Sequence, residues 1–287
     1  HGSDLSLDNA AANDACSATT TDLGSDLGSV ADMSLPRFRP LTQPEGVFDF
    51  KRIEAGGEPA VLITADELMR RTVEAAGGEA NLRKITTRYT EADVDFENQG
   101  VQGRAISWAK APDRTATDMT MIALGKTIAT GWEFFDGKSG EELYSFAPAD
   151  KYTGKRLEDA ALSANFYAPL EWKTLYKKIT VRNKAKVGDD ECYVVDFEPN
   201  KGSNFTEYYS TKTFLLRKRT GVIASSTSEQ KTPYTVTYDD YRAVDGIMLP
   251  FKISSFNPGN GNIVTVVKAY KHNGPISDDL FKPRKVK

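Results

Sequence analysis

The period of hydrophobic and polar positions changes near residue 86. Before it, Leu68, Thr72, Ala75 and Ala76 recur at helical spacing, which predicts a helix over 64–76. Thr64 and Glu67 form a capping box at its start, and Gly77-Gly78 stop it. A short second helix is expected from Glu79 to Lys84, with Leu82 and Ile85 pointing inward. Beyond Thr86 the period shortens towards two, the spacing of half-buried strands. Strands are expected over 89–96, 103–111, 113–122, 126–135, 141–146, 179–187, 191–198, 205–210, 213–219, 222–230, 234–242, 249–256 and 262–271. Turn signals such as Asp136-Gly137, Lys201-Gly202, Asp245-Gly246 and Asn257-Pro258-Gly259 separate them. One helical interruption fits 155–167, ahead of Pro169. Short strands joined by tight turns form an antiparallel meander rather than a βαβ sheet. The predicted class is mainly β (α+β), a single curled antiparallel sheet packed on a few helices.

The first 46 residues break this pattern. Residues 1–50 hold eight acids and two bases, whereas the other 237 residues are slightly basic. The first 35 residues contain no aromatic and no base, so they cannot bury enough apolar area to offset the entropy of ordering. The expected organisation is an extended acidic low-complexity arm over 1–46 and a β domain over 47–287. The arm's sparse apolar residues, Leu5, Leu7, Leu23, Leu27, Met33, Leu35 and Phe38, are its expected anchors on a partner protein. The chain begins at His1, so a removed leader or an absent earlier segment is expected.

Composition excludes several chemistries. A formal net charge of -3 argues against a nucleic-acid binder. Two histidines and two cysteines exclude a histidine-rich metal site, a four-cysteine zinc site and a c-type haem site. No apolar run is long enough for a membrane span. Gly137-Lys138-Ser139 lacks the earlier glycine of a phosphate loop, because Trp132 stands there. His272 lies in Lys271-His272-Asn273-Gly274-Pro275 and reads as a surface or turn residue. Asp239 and Asp240 point to opposite faces of a strand, and Asp278-Asp279 follow a helix-capping Ser277. Cys16 and Cys192 allow one disulfide, and a buried free thiol at Cys192 fits the pattern equally. No catalytic residue, cofactor or metal is expected. Aromatic residues are the most suggestive class. Trp108, Trp132, Phe134, Tyr144, Tyr193 and Phe214 suit a packed core, and they also suit the lining of an apolar cavity for an acyl chain.

A set of short motifs, in order, carries a resemblance. They include Ala76-Gly77-Gly78, Leu82-Arg83-Lys84-Ile85, Lys110-Ala111-Pro112-Asp113-Arg114, Phe135-Asp136-Gly137 and Cys192-Tyr193-Val194-Val195. The longest is Asp240-Tyr241-Arg242-Ala243-Val244-Asp245-Gly246-Ile247-Met248-Leu249-Pro250-Phe251, and Phe281-Lys282-Pro283 closes the set. Over roughly residues 64–284 the chain resembles a divergent member of the LolA-like, outer-membrane lipoprotein-sorting superfamily. The resemblance implies an open half-barrel closed by helices, no catalytic residues, and a periplasmic or cell-envelope location after export. It also implies acyl chains held in the concavity. Similar domains beside reaction-centre cytochromes imply a subunit role. This sequence departs from the family pattern after Gly137, where Ser139-Gly140-Glu141 replaces the usual Trp.

Two functions follow as expectations. The first is a non-catalytic accessory subunit of a large envelope or membrane complex, such as an electron-transport or photosynthetic reaction-centre assembly. It would dock on other protein subunits through the arm, keep a cavity narrowed by aromatics with no essential ligand, and associate at most peripherally with a membrane. The alternative is a periplasmic lipid or lipoprotein carrier with an acyl lipid in the concave sheet.

Overall fold

A computed structural model describes residues 63–284, all within one unit that spans Gly57–Lys287. The seven arm anchors, Cys16 and the 46/47 boundary lie outside the described residues. Helix α1 spans Ala65–Ala75 and α2 spans Glu79–Lys84. Thr64 caps α1, its hydroxyl accepting from the Glu67 N–H at 3.2 Å. The buried face of α1 is Leu68, Met69, Thr72 and Val73. The alanines expected on that face, Ala75 and Ala76, fall at the helix end and are half-buried, and the Ala76 carbonyl accepts from the Met248 N–H at 3.0 Å.

The first half of the sheet is β1 (Thr87–Phe96), β2 (Val101–Lys110), β3 (Arg114–Ala123), β4 (Lys126–Phe135), β5 (Gly140–Tyr144) and the two-residue β6 (Asp150–Lys151). Helices α3 (Gly154–Ala164) and α4 (Trp172–Leu175) follow. The second half is β7 (Tyr176–Val187), β8 (Asp190–Pro199), β9 (Phe205–Ser210), β10 (Leu216–Ala224), β11 (Lys231–Val244), β12 (Ile247–Asn257) and β13 (Gly261–His272). A 3-10 turn at Asp278–Phe281 ends the described chain, with the Ser277 hydroxyl accepting from the Asp279 N–H.

All strands form one antiparallel sheet in the order β6-β5-β4-β3-β2-β1-β13-β12-β11-β10-β9-β8-β7. The chain starts in the middle, works out to one edge, crosses through α3 and α4, and returns from the other edge. Closure of the long loop falls on the β1–β13 pair, from Arg88 opposite His272 to Phe96 opposite Ile263, with a bulge at Glu91/Ala92. Helix α3 touches both β4 and β10, seven steps apart in the strand order. In a flat sheet they would lie ~34 Å apart, at ~4.8 Å per strand. An 11-residue helix is only ~16 Å long. The sheet therefore curls, and α1 and α3 sit in its concavity. This is the predicted fold class.

Local chemistry explains two departures from the predicted strands. The expected strands 213–219 and 222–230 are a single strand, β10, with 211–215 in the preceding turn. The Ser210 hydroxyl accepts from the Lys212 and Thr213 N–H groups, and Phe214 adopts a φ of 58°. These bonds close a turn that periodicity alone does not reveal. His272 is the last residue of β13 rather than part of a turn, and its side chain is only 1% exposed.

The core has three clusters. Leu68 and Met69 of α1 pack on Val195, Phe197, Phe205 and Tyr209. Ile85 meets Ile247 and Leu249. On the other face of the sheet, Phe281 packs on Ala116, Trp132, Phe134 and Leu143. Gly77 joins α1 to α2 at a φ of 120°, and a Cβ there would strike the Gly246 carbonyl. A side chain at 77 would hold the helices off the β11–β12 turn.

Candidate functional site

Alternation along the strands decides which side chains enter the concavity. On β9, Phe205, Glu207 and Tyr209 alternate inward and are buried. On β10, Arg219 stands directly opposite Glu207. Inward residues of β1, β8, β11 and β12 add Arg88, Phe197, Tyr238, Tyr241, Met248 and Pro250. Helix α1 supplies Met69 and Thr72 as the opposing wall. The result is a partly open cavity of about 360 Å³ between α1 and the sheet. Its apolar lining includes Met69, Phe197, Phe214, Leu215, Leu216 and Met248.

The cavity has a polar floor that is largely self-satisfied. Arg219 donates from Nε to Glu207 Oε1 at 2.7 Å and from Nη2 to the same oxygen at 2.5 Å. The Tyr209 hydroxyl donates to the other carboxylate oxygen. Burial, then the Glu207 charge, raises the Tyr209 pKa well above the usual phenol value, so the hydroxyl keeps its proton. Burial would lower the Arg219 pKa, but the charge and hydrogen bonds of Glu207, with Tyr238 and Tyr234, together outweigh it and the guanidinium ends above its ordinary value. Tyr241 donates to the Leu216 carbonyl at 2.7 Å.

Arg88 differs. Its Nε donates to His272 Nε2 at 3.3 Å, and its guanidinium carbon lies 5.5 Å from the centre of the Phe166 ring. Burial lowers its pKa, and the nearby Tyr270 opposes that effect. The other ring nitrogen of His272 bonds Asp245 at 2.9 Å. Among the described residues, no carboxylate pairs with Arg88.

A second cavity of about 390 Å³ shares Ala168, Tyr176 and Arg219 with the first. Its lining is more polar. There the Tyr152 hydroxyl donates to Glu133 at 2.7 Å, and Asp159 accepts from the Ser203 hydroxyl at 2.8 Å.

The six aromatics singled out in the sequence are placed in three groups. Phe214 lines the first cavity, and Tyr193 stacks on it at 6.3 Å. Tyr144 covers Gly131 at the β4–β5 edge and stacks on Phe146. Trp108, Trp132 and Phe134 lie on the opposite face of the sheet. Their strand neighbours Glu133 and Phe135 point into the concavity. That opposite face is covered by the C-terminal segment, with Ile276, Leu280 and Phe281 on the aromatic cluster and Arg284 over Trp132. Sequence reading missed Arg88, Glu207 and Arg219. For Glu207 the signal was a charged residue at an inward position between Phe205 and Tyr209; Arg88, with Thr90 on the same face, and Arg219, in a run with Arg217 and Lys218, carry no such signal.

Among the described residues, no three His, Cys, Asp or Glu side chains gather as a metal site, and no helix is long and apolar enough to cross a membrane. Cys192 is a buried free thiol.

No protein-family model matches the chain, and no curated protein matches it. Solved structures resemble it in fold. A LolA superfamily protein from Nitrosomonas europaea is 15% identical, with a TM-score of 0.49, covering 77% of this chain and 99% of that one. A DUF1329 family protein from Desulfovibrio piger is 12% identical, with a TM-score of 0.47, covering 76% and 96%. A putative outer membrane lipoprotein-sorting protein domain from Vibrio parahaemolyticus is 10% identical, with a TM-score of 0.46, covering 75% and 94%.

Proposed function

We propose that the protein is a non-catalytic carrier that holds an apolar chain, an acyl lipid, in the concavity between α1 and the sheet. The observation that carries this is the cavity of about 360 Å³, partly open and walled by Met69, Phe197, Phe214, Leu216 and Met248. Small-molecule sites are concave, mostly apolar and ~300–1,000 Å³, with a few placed polar groups. The polar floor supports binding rather than reaction, because Glu207 is committed to Arg219 and Tyr209. His272, the one imidazole among the described residues, does not line the cavity. An envelope location belongs to the same proposal and follows from the sequence resemblance. The accessory-subunit expectation drew on residues 1–46, which lie outside the described residues, and on the family resemblance; no structural observation within 63–284 favours it.

The test is titration of the delipidated full chain with a fluorescent long-chain fatty acid. Ala168→Trp and Met248→Trp fill the cavity and should weaken binding at least about tenfold, the factor that ~1.4 kcal/mol represents. Trp108→Phe, on the opposite face, should leave it unchanged. Binding that survives both cavity-filling changes would place the ligand elsewhere or reject the carrier.

A further inference from the structure

We infer that Arg88 is an anion-recognition site, and that the molecule held in the cavity is a single-chain amphiphile whose carboxylate or phosphate head group meets this guanidinium. The inference rests on the carrier reading and specifies its ligand.

Charge sets Arg88 apart from the rest of the lining. The cavity lining holds three charged side chains, Arg88, Glu207 and Arg219. Glu207 faces Arg219 within a direct strand pair and takes three hydrogen bonds, two from Arg219 and one from Tyr209. That pair is neutral as a unit. Among the described residues, Arg88 is left as the uncompensated positive charge of the wall. A guanidinium taken from water without a counter-ion is expensive and is ordinarily paired. Here the nearest acid in the network, Asp245, is held off by His272, which stands between them.

Hydrogen-bond supply points the same way. A guanidinium has five N–H donors in a fixed fork. In Arg88 only Nε has a partner among the described residues, so four donors on the two Nη groups are unused. The Nε bond and the Phe166 ring fix the plane of the group, which favours bidentate capture of a carboxylate or phosphate. His272 Nε2 must accept from Arg88, so the imidazole carries its proton on Nδ1 and donates to Asp245. The relay orients Arg88 without neutralising it at contact range. Tyr238 adds a hydroxyl to the same lining with no partner among the described residues, and burial keeps it protonated as a donor. The neighbouring surface is apolar, from Ala76, Ala168, Pro169 and Met248. A charged end beside an apolar channel matches an amphiphile, with the head at Arg88 and the tail towards Met69 and Phe214.

The experiment compares matched probes on the full chain: hexadecanoic acid, its methyl ester, hexadecyl phosphate and inorganic phosphate. The wild type should bind the acid and the alkyl phosphate on the order of tenfold to a hundredfold more tightly than the ester, the range expected of hydrogen bonds to a charged group. Arg88→Gln should erase that preference while still binding the ester, and Arg88→Lys should keep part of it. Circular dichroism verifies that the variants fold, and the wild-type comparison needs no variant. Equal affinity for acid and ester, or an undiminished preference in Arg88→Gln, overturns the inference and leaves the carrier reading standing. Binding of inorganic phosphate through Arg88 without any amphiphile would overturn the carrier reading and assign Arg88 to a free oxyanion. Failure of all four probes overturns both.

Discussion

Replacing Glu207 should destabilise the protein mainly by stranding its partner. Glu207 is 3% exposed and anchors both Arg219 and Tyr209. Glu207→Leu removes the counter-charge of a guanidinium that faces the protein interior. Breaking a buried pair from one side costs about 3–5 kcal/mol. The Arg219 side chain is 32% exposed, so water recovers some of the loss and the lower end, about 3 kcal/mol, applies. The orphaned Tyr209 hydroxyl adds about 1 kcal/mol. With a urea m-value of about 3 kcal/mol/M, at the upper end of the range for small proteins, the midpoint should fall by a little over 1 M. The double change Glu207→Leu/Arg219→Met removes both charges and should recover most of this, because apolar replacement of a buried pair is often nearly neutral. The cycle should therefore show a coupling of about 2 kcal/mol or more. Urea unfolding followed by tryptophan fluorescence and circular dichroism measures it. A single variant within about 0.5 kcal/mol of wild type, or a double variant as damaged as the sum of its parts, would refute the reasoning.

Three other outcomes follow from the packing. Leu68→Ala, at a fully buried position of α1, should cost about 2–5 kcal/mol by the same unfolding assay, against under 0.5 kcal/mol for Glu74→Ala on the outer face. Phe281→Ala should cost about 3–5 kcal/mol and shift tryptophan emission to the red, because Phe281 helps cover Trp132 and Trp108; an unshifted spectrum would mean that the C-terminal segment is not a cover. Burial raises the Cys192 thiol to about 11, so peptide mass spectrometry should show slow alkylation of Cys192 in the native protein at pH 8 and fast alkylation in denaturant. Between the ordinary thiol pKa of ~8.5 and about 11 the unfolded chain loses a proton that the native chain keeps, so stability falls as pH rises through that window.

Most of the fold was legible because strand and turn information is local. Gly188 and Gly246 adopt positive φ in the turns between β7 and β8 and between β11 and β12, and Gly261 does so as the first residue of β13. The alternation Phe205, Glu207, Tyr209 marks one face without reference to any other strand. The strand order was less accessible. Nothing in the period of β7 says that it lies at the far edge from β6, since that depends on α3 and α4 crossing the concavity. Two short elements, β6 and α4, have too few residues to show a period. The site was legible only in part. Alternation groups Trp108, Trp132 and Phe134 on one face, but which face is concave is set by curl, a property of the whole sheet. The C-terminal segment that covers them arrives from more than a hundred residues away. Arg88 could have been flagged as a charge beside Tyr89 on a strand, but its missing partner is visible only in three dimensions.

The proposed carrier role puts an acyl chain in the concavity between α1 and the sheet. Paramagnetic broadening locates such a chain: the methionine methyl groups are labelled and a fatty acid with a nitroxide on its chain is added. Met69 and Met248 line the cavity, whereas Met119 and Met121 lie on β3 and line neither it nor the neighbouring cavity of about 390 Å³. The Met69 and Met248 methyl resonances should broaden first and most, and unlabelled hexadecanoic acid should restore them. Broadening that spares Met69 and Met248, or that is uniform over the methionines and not reversed by competition, would contradict it.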